Sequence, residues 1–158
     1  MSKKSRRSGF TLIEVLIVVI IMAVLAATII PQFSASTKDA KESSVKFNMH
    51  TLRSQIEMYK VHHLGNYPTT IDGNKSMPQL LLATDVNGNT GTTAPDATHP
   101  FGPYIDQQLP ANPFNNLNTV KAASLGGAKP GTGDNSTGWI YDSATGAVWP
   151  NNPEFYAN

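Results

Sequence analysis

Residues 6–30 read RRSGFTLIEVLIVVIIMAVLAATII, a basic stretch followed by an apolar segment that contains one carboxylate, Glu14. The apolar segment, from Phe10 to Ile30, forms about 30 Å of helix, which matches the hydrocarbon core of a bilayer. A carboxylate near the middle of such a helix costs about 2.5–3.5 kcal/mol on membrane insertion, and less near an end. Because no lysine, arginine or histidine lies within the segment, we expect Glu14 to need a partner from outside it.

A family resemblance rests on the same residues: a basic leader, then GFTLIE, then a run of branched aliphatic side chains. The pattern resembles the N-terminus of type IV pilin and type II secretion pseudopilin precursors. In that family a membrane peptidase cuts after the glycine, on the cytoplasmic side, and methylates the new N-terminal residue. The resemblance therefore implies a cleaved leader of residues 1–9, a cut between Gly9 and Phe10, and methylation of the Phe10 nitrogen.

The resemblance also implies a partner for Glu14. In a filament of stacked subunits, this glutamate would meet the N-terminal ammonium of a neighbouring subunit. An ion pair shielded from water can offset a desolvation cost that a lone carboxylate cannot. We therefore expect Glu14 to act in assembly.

An ordinary signal peptide or signal anchor also combines a basic stretch with an apolar one. The apolar region of a signal peptide usually spans 7–15 residues and precedes a small-residue cleavage site, whereas this segment is longer and has Gly-Phe before it. A plain anchor stays open as an alternative, but it leaves Glu14 unexplained. In either case the four basic residues at positions 3–7 retain the N-terminus in the cytoplasm, so the C-terminal part faces the other side.

The composition fits an exported domain without disulfide bonds. The chain of 158 residues contains no cysteine, so the exported part is held together by core packing or bound ligands. Four of the 12 lysines and arginines lie in the leader, so cleavage leaves 8 against 11 acidic residues, a side-chain balance of −3. Nothing here indicates nucleic-acid binding, which favours basic residues clustered on one face.

The membrane helix is predicted to continue through Pro31 to about His63. Proline removes one backbone hydrogen bond and crowds the previous turn, so we expect a kink or local opening at Pro31. Apolar residues then recur at intervals of three and four, which indicates an amphipathic helix over residues 31–64 with an apolar stripe and a polar back. Gly65 and Pro68 indicate where the helix ends. The stripe consists of Val45, Met49, Leu52, Ile56, Tyr59 and His63.

Residues 65–158 are rich in Gly, Pro, Asn and Thr and predict a small globular C-terminal domain. A short helix is predicted with Ser76 as its cap and Pro78 in its first turn. Two aromatic-rich runs, WIY and AVW, flank a turn in which Gly146 supplies a positive φ, and they predict a terminal β-hairpin. The predicted fold class is α+β and pilin-like, with the long N-terminal helix packed on a small C-terminal antiparallel sheet.

Four stretches beyond the membrane segment narrow the resemblance to the major pseudopilin of type II secretion. They are YKVHHLGNYPT at 59–69, the leucine pair at 80–81, GPYI at 102–105 and LPANPF at 109–114. The lack of cysteine agrees, because many type IV pilins close their C-terminal region with a disulfide. One departure is Asn112, which stands where that family usually has aspartate.

A second departure concerns calcium. The resemblance implies a calcium loop near the C-terminus, rich in aspartate and glycine, but residues 126–136 read GGAKPGTGDNS and contain one carboxylate. Calcium takes six to eight oxygen ligands, so this set is small. We therefore predict no cofactor, and we name Asp134 and Asn135 as the candidate ligands if calcium binds.

Three histidines and a glycine-rich stretch have simple interpretations. His50, His62 and His63 could suggest a transition-metal site, but adjacent residues on a helix point about 100° apart, so a solvated helix end is favoured. The glycines of residues 126–133 are not followed by Gly-Lys-Ser/Thr or by a predicted helix, as a phosphate loop requires. We interpret them as a loop.

Aromatic residues of the predicted hairpin could form a ligand platform. Trp139, Tyr141 and Trp149 lie at strand positions, where large aromatic side chains usually belong to the core. We therefore assign them to the core.

We predict a structural subunit that crosses the inner membrane once, with its N-terminus in the cytoplasm and its C-terminal domain in the periplasm. The resemblance implies that it polymerises with like subunits and minor pseudopilins into a periplasmic pseudopilus for protein export. It also implies processing by a prepilin peptidase and extraction by an inner-membrane assembly platform with a cytoplasmic ATPase. We predict no nucleic-acid partner and no catalytic residue.

Three alternatives stay open. A type IV pilin would serve adhesion, motility or DNA uptake. A ligand-binding module on a membrane tether would be monomeric and would need no cleavage. An anchored enzyme would need a catalytic cluster, and the spacing reveals no activated nucleophile and no carboxylate pair.

Overall fold

The computed structural model describes residues 9–69 and 71–156, so residues 1–8 of the predicted leader lie outside the described residues. Contacts divide the chain into a unit that ends at Ala40 and a unit that begins at Lys41, which we call the head unit. The elements are helix α1 (Leu12–His62), helix α2 (Pro78–Leu81), strands β1 (Val120–Ala122), β2 (Trp139–Asp142) and β3 (Ala147–Pro150), and a 3-10 helix (Pro153–Tyr156).

Helix α1 is a single element of 51 residues and is continuous through Pro31. This confirms the predicted continuation of the membrane helix, while the kink at Pro31 stays a prediction. The helix begins at Leu12, two residues after the predicted Phe10, because Thr11 precedes the first turn and its hydroxyl caps a backbone N–H inside it.

The end of α1 is a Schellman motif, although its left-handed position holds leucine. The N–H of Gly65 donates to the carbonyl of Lys60 at 3.0 Å, and Leu64 has a φ of 56°. These are the hydrogen bond and the left-handed residue of that motif. The helix ends at His62, one residue before the predicted end, with Gly65 in the closing role that we predicted.

The predicted apolar stripe of α1 forms one side of the core of the head unit. Leu52, Ile56 and Tyr59 are each at most 2% exposed, and His63 is also buried. The guanidinium of Arg53 donates to the carbonyl of Val148 on β3 at 3.0 Å, which ties the helix to the sheet. The core consists of Val45, Leu52, Ile56, Tyr59, Met77, Leu80, Leu109, Val120, Trp139, Tyr141 and Val148.

The back of α1 differs from the prediction. Phe47, Met58 and Val61 are 72%, 50% and 75% exposed, and their spacing places them together on the side of the helix opposite Leu52 and Ile56. The predicted polar back is therefore corrected, because this exposed face also carries three apolar side chains.

The sheet has the order β1-β2-β3. The predicted hairpin is confirmed, because β2 and β3 pair antiparallel with Trp139 opposite Pro150, and Gly146 in the turn has a φ of 71°. The antiparallel description needs one correction, since β1 pairs parallel to β2 with Val120 opposite Trp139. Residues 123–138 join these two strands, which is long enough for the crossover that parallel pairing requires.

Strand β2 is buried on both faces. The indole N–H of Trp139 donates to the carbonyl of Pro110 at 2.7 Å, and the hydroxyl of Tyr141 donates to the carbonyl of Pro68 at 2.8 Å. Trp149 is 6% exposed. The assignment of these aromatic residues to the core is confirmed.

Helix α2 begins at Pro78, as predicted, but no side chain caps it. Ser76 instead donates its backbone N–H to the Asp72 carboxylate at 2.8 Å, and its carbonyl accepts from the Asp72 N–H at 3.2 Å. The predicted Ser76 cap is wrong because Met77, and not Ser76, occupies the N-cap position of the helix.

Candidate processing and assembly site

The bond predicted to be cut lies in an exposed segment that precedes α1. Gly9 and Phe10 are outside the helix, and Phe10 is 87% exposed. No heavy atom lies within 4 Å of the position that a Cβ would occupy on Gly9. A peptidase can therefore approach this bond without unfolding the helix, while the cut itself stays a prediction.

Glu14 and Thr11 form a capping box at the start of α1. The carboxylate oxygen Oε2 of Glu14 accepts from the backbone N–H and the hydroxyl of Thr11, both at 2.8 Å. The N–H of Glu14 donates to the hydroxyl oxygen of Thr11 at 3.3 Å. These are the reciprocal bonds of a Ser/Thr-x-x-Glu capping box.

The sequence contained this signal, because Thr11-Leu12-Ile13-Glu14 matches the capping-box pattern directly before an apolar run. The expectation that Glu14 would need a partner from outside the segment is therefore corrected in part. Thr11 supplies neutral hydrogen bonds, but it supplies no opposite charge.

The two oxygens of Glu14 have different surroundings. Oε2 accepts both bonds from Thr11, whereas Oε1 has no hydrogen bond from any residue within 9–69 or 71–156. The carboxylate is thus oriented by its own helix and still presents one oxygen outward. A group held in this way meets an external cation with little further loss of side-chain entropy.

The segment that follows is long and apolar enough to cross a membrane. One such helix, Leu12–Ile30, is present in the described part of the chain, and all of its 19 residues are exposed. Its large side chains, among them Leu16 and Val19, are about half exposed or more.

The calcium candidates lie together in the loop before β2. The Asp134 carboxylate accepts from the Lys121 ammonium and from the Asn151 side chain, each at 2.6 Å. It also accepts from the Ser136 hydroxyl at 2.6 Å and from the Ser136 N–H at 2.9 Å. The side-chain oxygen of Asn135 accepts from Asn152 at 2.7 Å.

These residues do not fit a calcium ion. Both carboxylate oxygens of Asp134 face hydrogen-bond donors, and one of the donors carries a positive charge. Calcium needs six to eight oxygen ligands, but within residues 9–69 and 71–156 no cluster of three histidine, cysteine or acidic side chains is placed to hold a metal.

The histidines at the end of α1 have separate partners. The Nδ1 atom of His62 lies 2.9 Å from the Tyr104 hydroxyl. His63 is 1% exposed, with Nδ1 at 2.6 Å from the Tyr59 carbonyl and Nε2 at 3.0 Å from the Thr84 hydroxyl. The solvated helix end is therefore wrong for His63, which the apolar stripe had already placed in the core.

Asn112 uses the amide group that distinguishes it from aspartate. The residue is fully buried, and its NH₂ group donates to the Gly138 carbonyl at 2.9 Å while its oxygen accepts from the Phe114 N–H at 3.0 Å. A carboxylate could not donate to Gly138. This departure from the family pattern is thus explained by the local hydrogen bonds.

Comparison with known proteins identifies the class and then the family. Residues 4–30 match the family model described as the prokaryotic N-terminal methylation motif, which defines a pilin-like class. The type II secretion system core protein G of Aeromonas hydrophila is 31% identical over 115 residues, covering 72% of each chain. That of Pseudomonas aeruginosa is 31% identical over 114 residues, also covering 72% of each chain. The chain therefore belongs to the core protein G family of type II secretion, the major pseudopilins.

Other relatives agree, and the type II secretion system core protein G of Vibrio cholerae is 29% identical over 117 residues, covering 73% of this chain and 71% of the relative. No solved structure matches the chain. The resemblance, the α+β pilin-like fold and the function predicted from them are confirmed: the chain is a membrane-anchored structural subunit of the type II secretion pseudopilus. Membership also implies assembly with other pseudopilins and processing by a prepilin peptidase.

Proposed function

We propose that Glu14 recruits each subunit into the filament by pairing with the Phe10 ammonium of a neighbouring subunit. The cut between Gly9 and Phe10 creates that ammonium, and N-methylation leaves its charge in place. The chain then polymerises with like subunits and minor pseudopilins to drive protein export.

The single observation that carries this proposal is the state of the Glu14 carboxylate. Thr11 holds Oε2, and Oε1 accepts no hydrogen bond from the residues that the structure describes. Inside a membrane, a charge with one unsatisfied oxygen is costly. A neighbouring ammonium removes that cost, because an ion pair away from water is strong when its remaining hydrogen bonds are satisfied.

Exposed apolar surface supports polymerisation along α1. The anchor segment, residues 12–30, is exposed throughout, and Phe47, Met58 and Val61 add apolar surface on the back of the same helix. Moving the anchor segment from lipid to a neighbouring helix costs little, because both surroundings are apolar. The head-unit side chains leave water instead, and their burial favours assembly by roughly 25 cal/mol per Å² of apolar surface.

The topology and partners follow from the same assignment. The chain crosses the inner membrane once, with its basic leader in the cytoplasm and its C-terminal domain in the periplasm. An assembly platform with a cytoplasmic ATPase extracts the subunits and supplies direction to growth. The role is structural, without catalysis and without a nucleic-acid partner.

The test compares two substitutions that separate charge from helix capping. Glu14→Gln removes the charge, and its amide oxygen still completes the capping box. Thr11→Val removes the capping hydroxyl and keeps the carboxylate. We expect Glu14→Gln to lower pelletable filament and exported protein more than about tenfold, since losing one partner of a buried pair costs several kcal/mol. We expect Thr11→Val to retain most of both.

Cells that carry each full-length variant in place of the native subunit provide the measurement, with membrane levels and N-terminal processing checked by immunoblot and intact mass. Normal filaments and export from Glu14→Gln would contradict the charge pair. A larger defect in Thr11→Val than in Glu14→Gln would assign Glu14 to capping alone.

A further inference from the structure

The loop of residues 126–136 is held to the sheet by one ion pair and by hydrogen bonds of asparagine side chains. Lys121 on β1 and Asp134 in the loop form the pair, with the ammonium 2.6 Å from Oδ2. Oδ1 accepts from the side chain of Asn151, the residue that follows β3. One carboxylate therefore connects the loop to strand β1 and to the residue that follows β3.

We propose that Lys121 is the resident cation of this loop, so that the C-terminal region of this chain folds and functions without calcium. The ammonium occupies the position beside Asp134 that a bound cation would need. This inference concerns the stability of the head unit and does not depend on the role of Glu14.

The first argument is the saturation of the polar groups around Asp134. The side-chain NH₂ of Asn151 donates to Asp134 at 2.6 Å and to the Thr137 hydroxyl at 2.9 Å. The oxygen of Asn151 accepts from the Asp134 N–H at 2.8 Å. The side-chain oxygens of Asp134, Asn135 and Asn151 thus each already accept a hydrogen bond.

The second argument is charge. The Lys121 ammonium is the largest cause that holds the pKa of Asp134 well below its usual range, followed by the hydrogen bonds from Ser136 and Asn151. The carboxylate is thus ionised at physiological pH and its charge is balanced within the chain. A divalent cation would have to displace the ammonium or bind next to it, and like charges at such distances repel.

The third argument is the path of the backbone. A Cβ on Gly133 would overlap the backbone of Asn151 and Asn152, so the loop passes directly against the chain that leaves β3. This close approach, together with the hydrogen bonds between Asp134 and Asn151, places Asp134 beside the sheet. Gly133, one of the glycines considered for a phosphate loop, thus has a structural use.

The experiment measures thermal unfolding of the full-length protein in detergent micelles, in millimolar calcium and in excess chelator. For wild type we expect the two Tm values to agree within about 1 °C, because a cation that does not bind the native state does not stabilise it. Lys121→Met keeps the aliphatic stem and removes the charge. We expect its Tm to fall by about 2–5 °C, the range for a half-exposed ion pair within a network. Lys46→Met, at an exposed position of α1, is the matched control and should melt with wild type.

Charge reversal sharpens the test. Lys121→Asp places a second carboxylate beside Asp134, so this variant should melt below Lys121→Met in chelator and should gain Tm in calcium. A calcium response of wild type equal to or larger than that of Lys121→Asp overturns the proposal. Equal Tm values for Lys121→Met and Lys46→Met overturn it as well.

Discussion

The anchor segment, residues 12–30, and the head unit use apolar residues in opposite ways. Every residue of the anchor segment is exposed within the single chain, whereas Trp139 and Leu80 in the head unit are completely buried. The head unit therefore specifies its own packing, and the anchor segment depends on lipid or on another subunit. Substitutions in the head unit should therefore impair folding, and substitutions in the anchor segment should impair assembly.

The polar groups that lack a partner differ in their surroundings, since the one in the head unit is buried and the one in the anchor segment is exposed. Among the described residues, one buried side-chain atom, the hydroxyl oxygen of Thr145, lacks a hydrogen-bond partner. In the anchor segment, one oxygen of Glu14 accepts from Thr11, and the other accepts no hydrogen bond from residues 9–69 or 71–156. In the proposed function, a neighbouring subunit supplies the partner of this second oxygen.

The largest difference is expected between Trp139→Ala and Leu16→Ala. Trp139 is fully buried and its N–H is bonded to Pro110, so its removal should lower the free energy of unfolding of the head unit by about 3–5 kcal/mol. Leu16 is 51% exposed in the anchor segment, and its truncation should change that quantity by less than about 0.5 kcal/mol.

Urea unfolding of the full chain in micelles measures this difference. Fluorescence of Trp149 reports on the head unit, because the chain has two tryptophans and both lie in its hairpin. An equal loss of unfolding free energy from the two substitutions would show that the anchor segment takes part in the folding of the head unit. It would contradict the division between the two regions.

A smaller loss is expected when a buried amide of the head unit becomes a carboxylate. Asn112→Asp removes the bond to Gly138 and leaves two acceptors facing each other, which should lower the free energy of unfolding by about 1–3 kcal/mol at neutral pH. Burial raises the folded-state pKa of the new carboxyl, so the loss should shrink as pH falls towards the unfolded-state pKa of about 4.

Asn118→Asp is the matched control, since Asn118 bonds to the Gln108 side chain at an exposed site. Asn118→Asp should lower the free energy of unfolding by less than Asn112→Asp, and its loss should not shrink at acidic pH. A pH-independent loss in Asn112→Asp would show that the defect comes from shape and not from charge.

Local patterns predicted much of this structure. The spacing from Val45 to His63 predicted the buried face of α1, and the turn at Gly146 predicted the hairpin, because both depend on residues close in sequence. The capping box of Thr11 and Glu14 is equally local, since it joins residues three positions apart, but it was not among the predictions.

Features that depend on distant residues could not be predicted from local patterns. Strand β1 has one buried residue of three, and only pairing with β2 makes it a strand. The ion pair of Lys121 and Asp134 joins positions 13 residues apart. Its existence depends on the close approach of Gly133 to the chain after β3, which no spacing rule indicates.

The smallest predicted effect lies at Leu64, where α1 ends in the head unit with a φ of 56° and a side chain that is 76% exposed. A non-glycine residue in the left-handed region costs roughly 1–2 kcal/mol, and glycine loses about 0.5–1 kcal/mol more conformational entropy on folding than alanine. Leu64→Gly should therefore raise the free energy of unfolding of the isolated subunit by about 0.5 kcal/mol. Leu64→Val should lower it, since a β-branched side chain is strained at positive φ.

Two measurements on Leu64→Gly sharpen the comparison between the two regions. Leu64 belongs to the head unit, but its apolar side chain is exposed, like the apolar side chains of the anchor segment. Urea unfolding gives the stability of the isolated subunit, and pelleting gives the yield of filament. A more stable subunit with less filament would show that Leu64 is retained, despite its backbone strain, for contact with another subunit. A less stable subunit would show that Leu64 packs within the chain, contrary to its exposure.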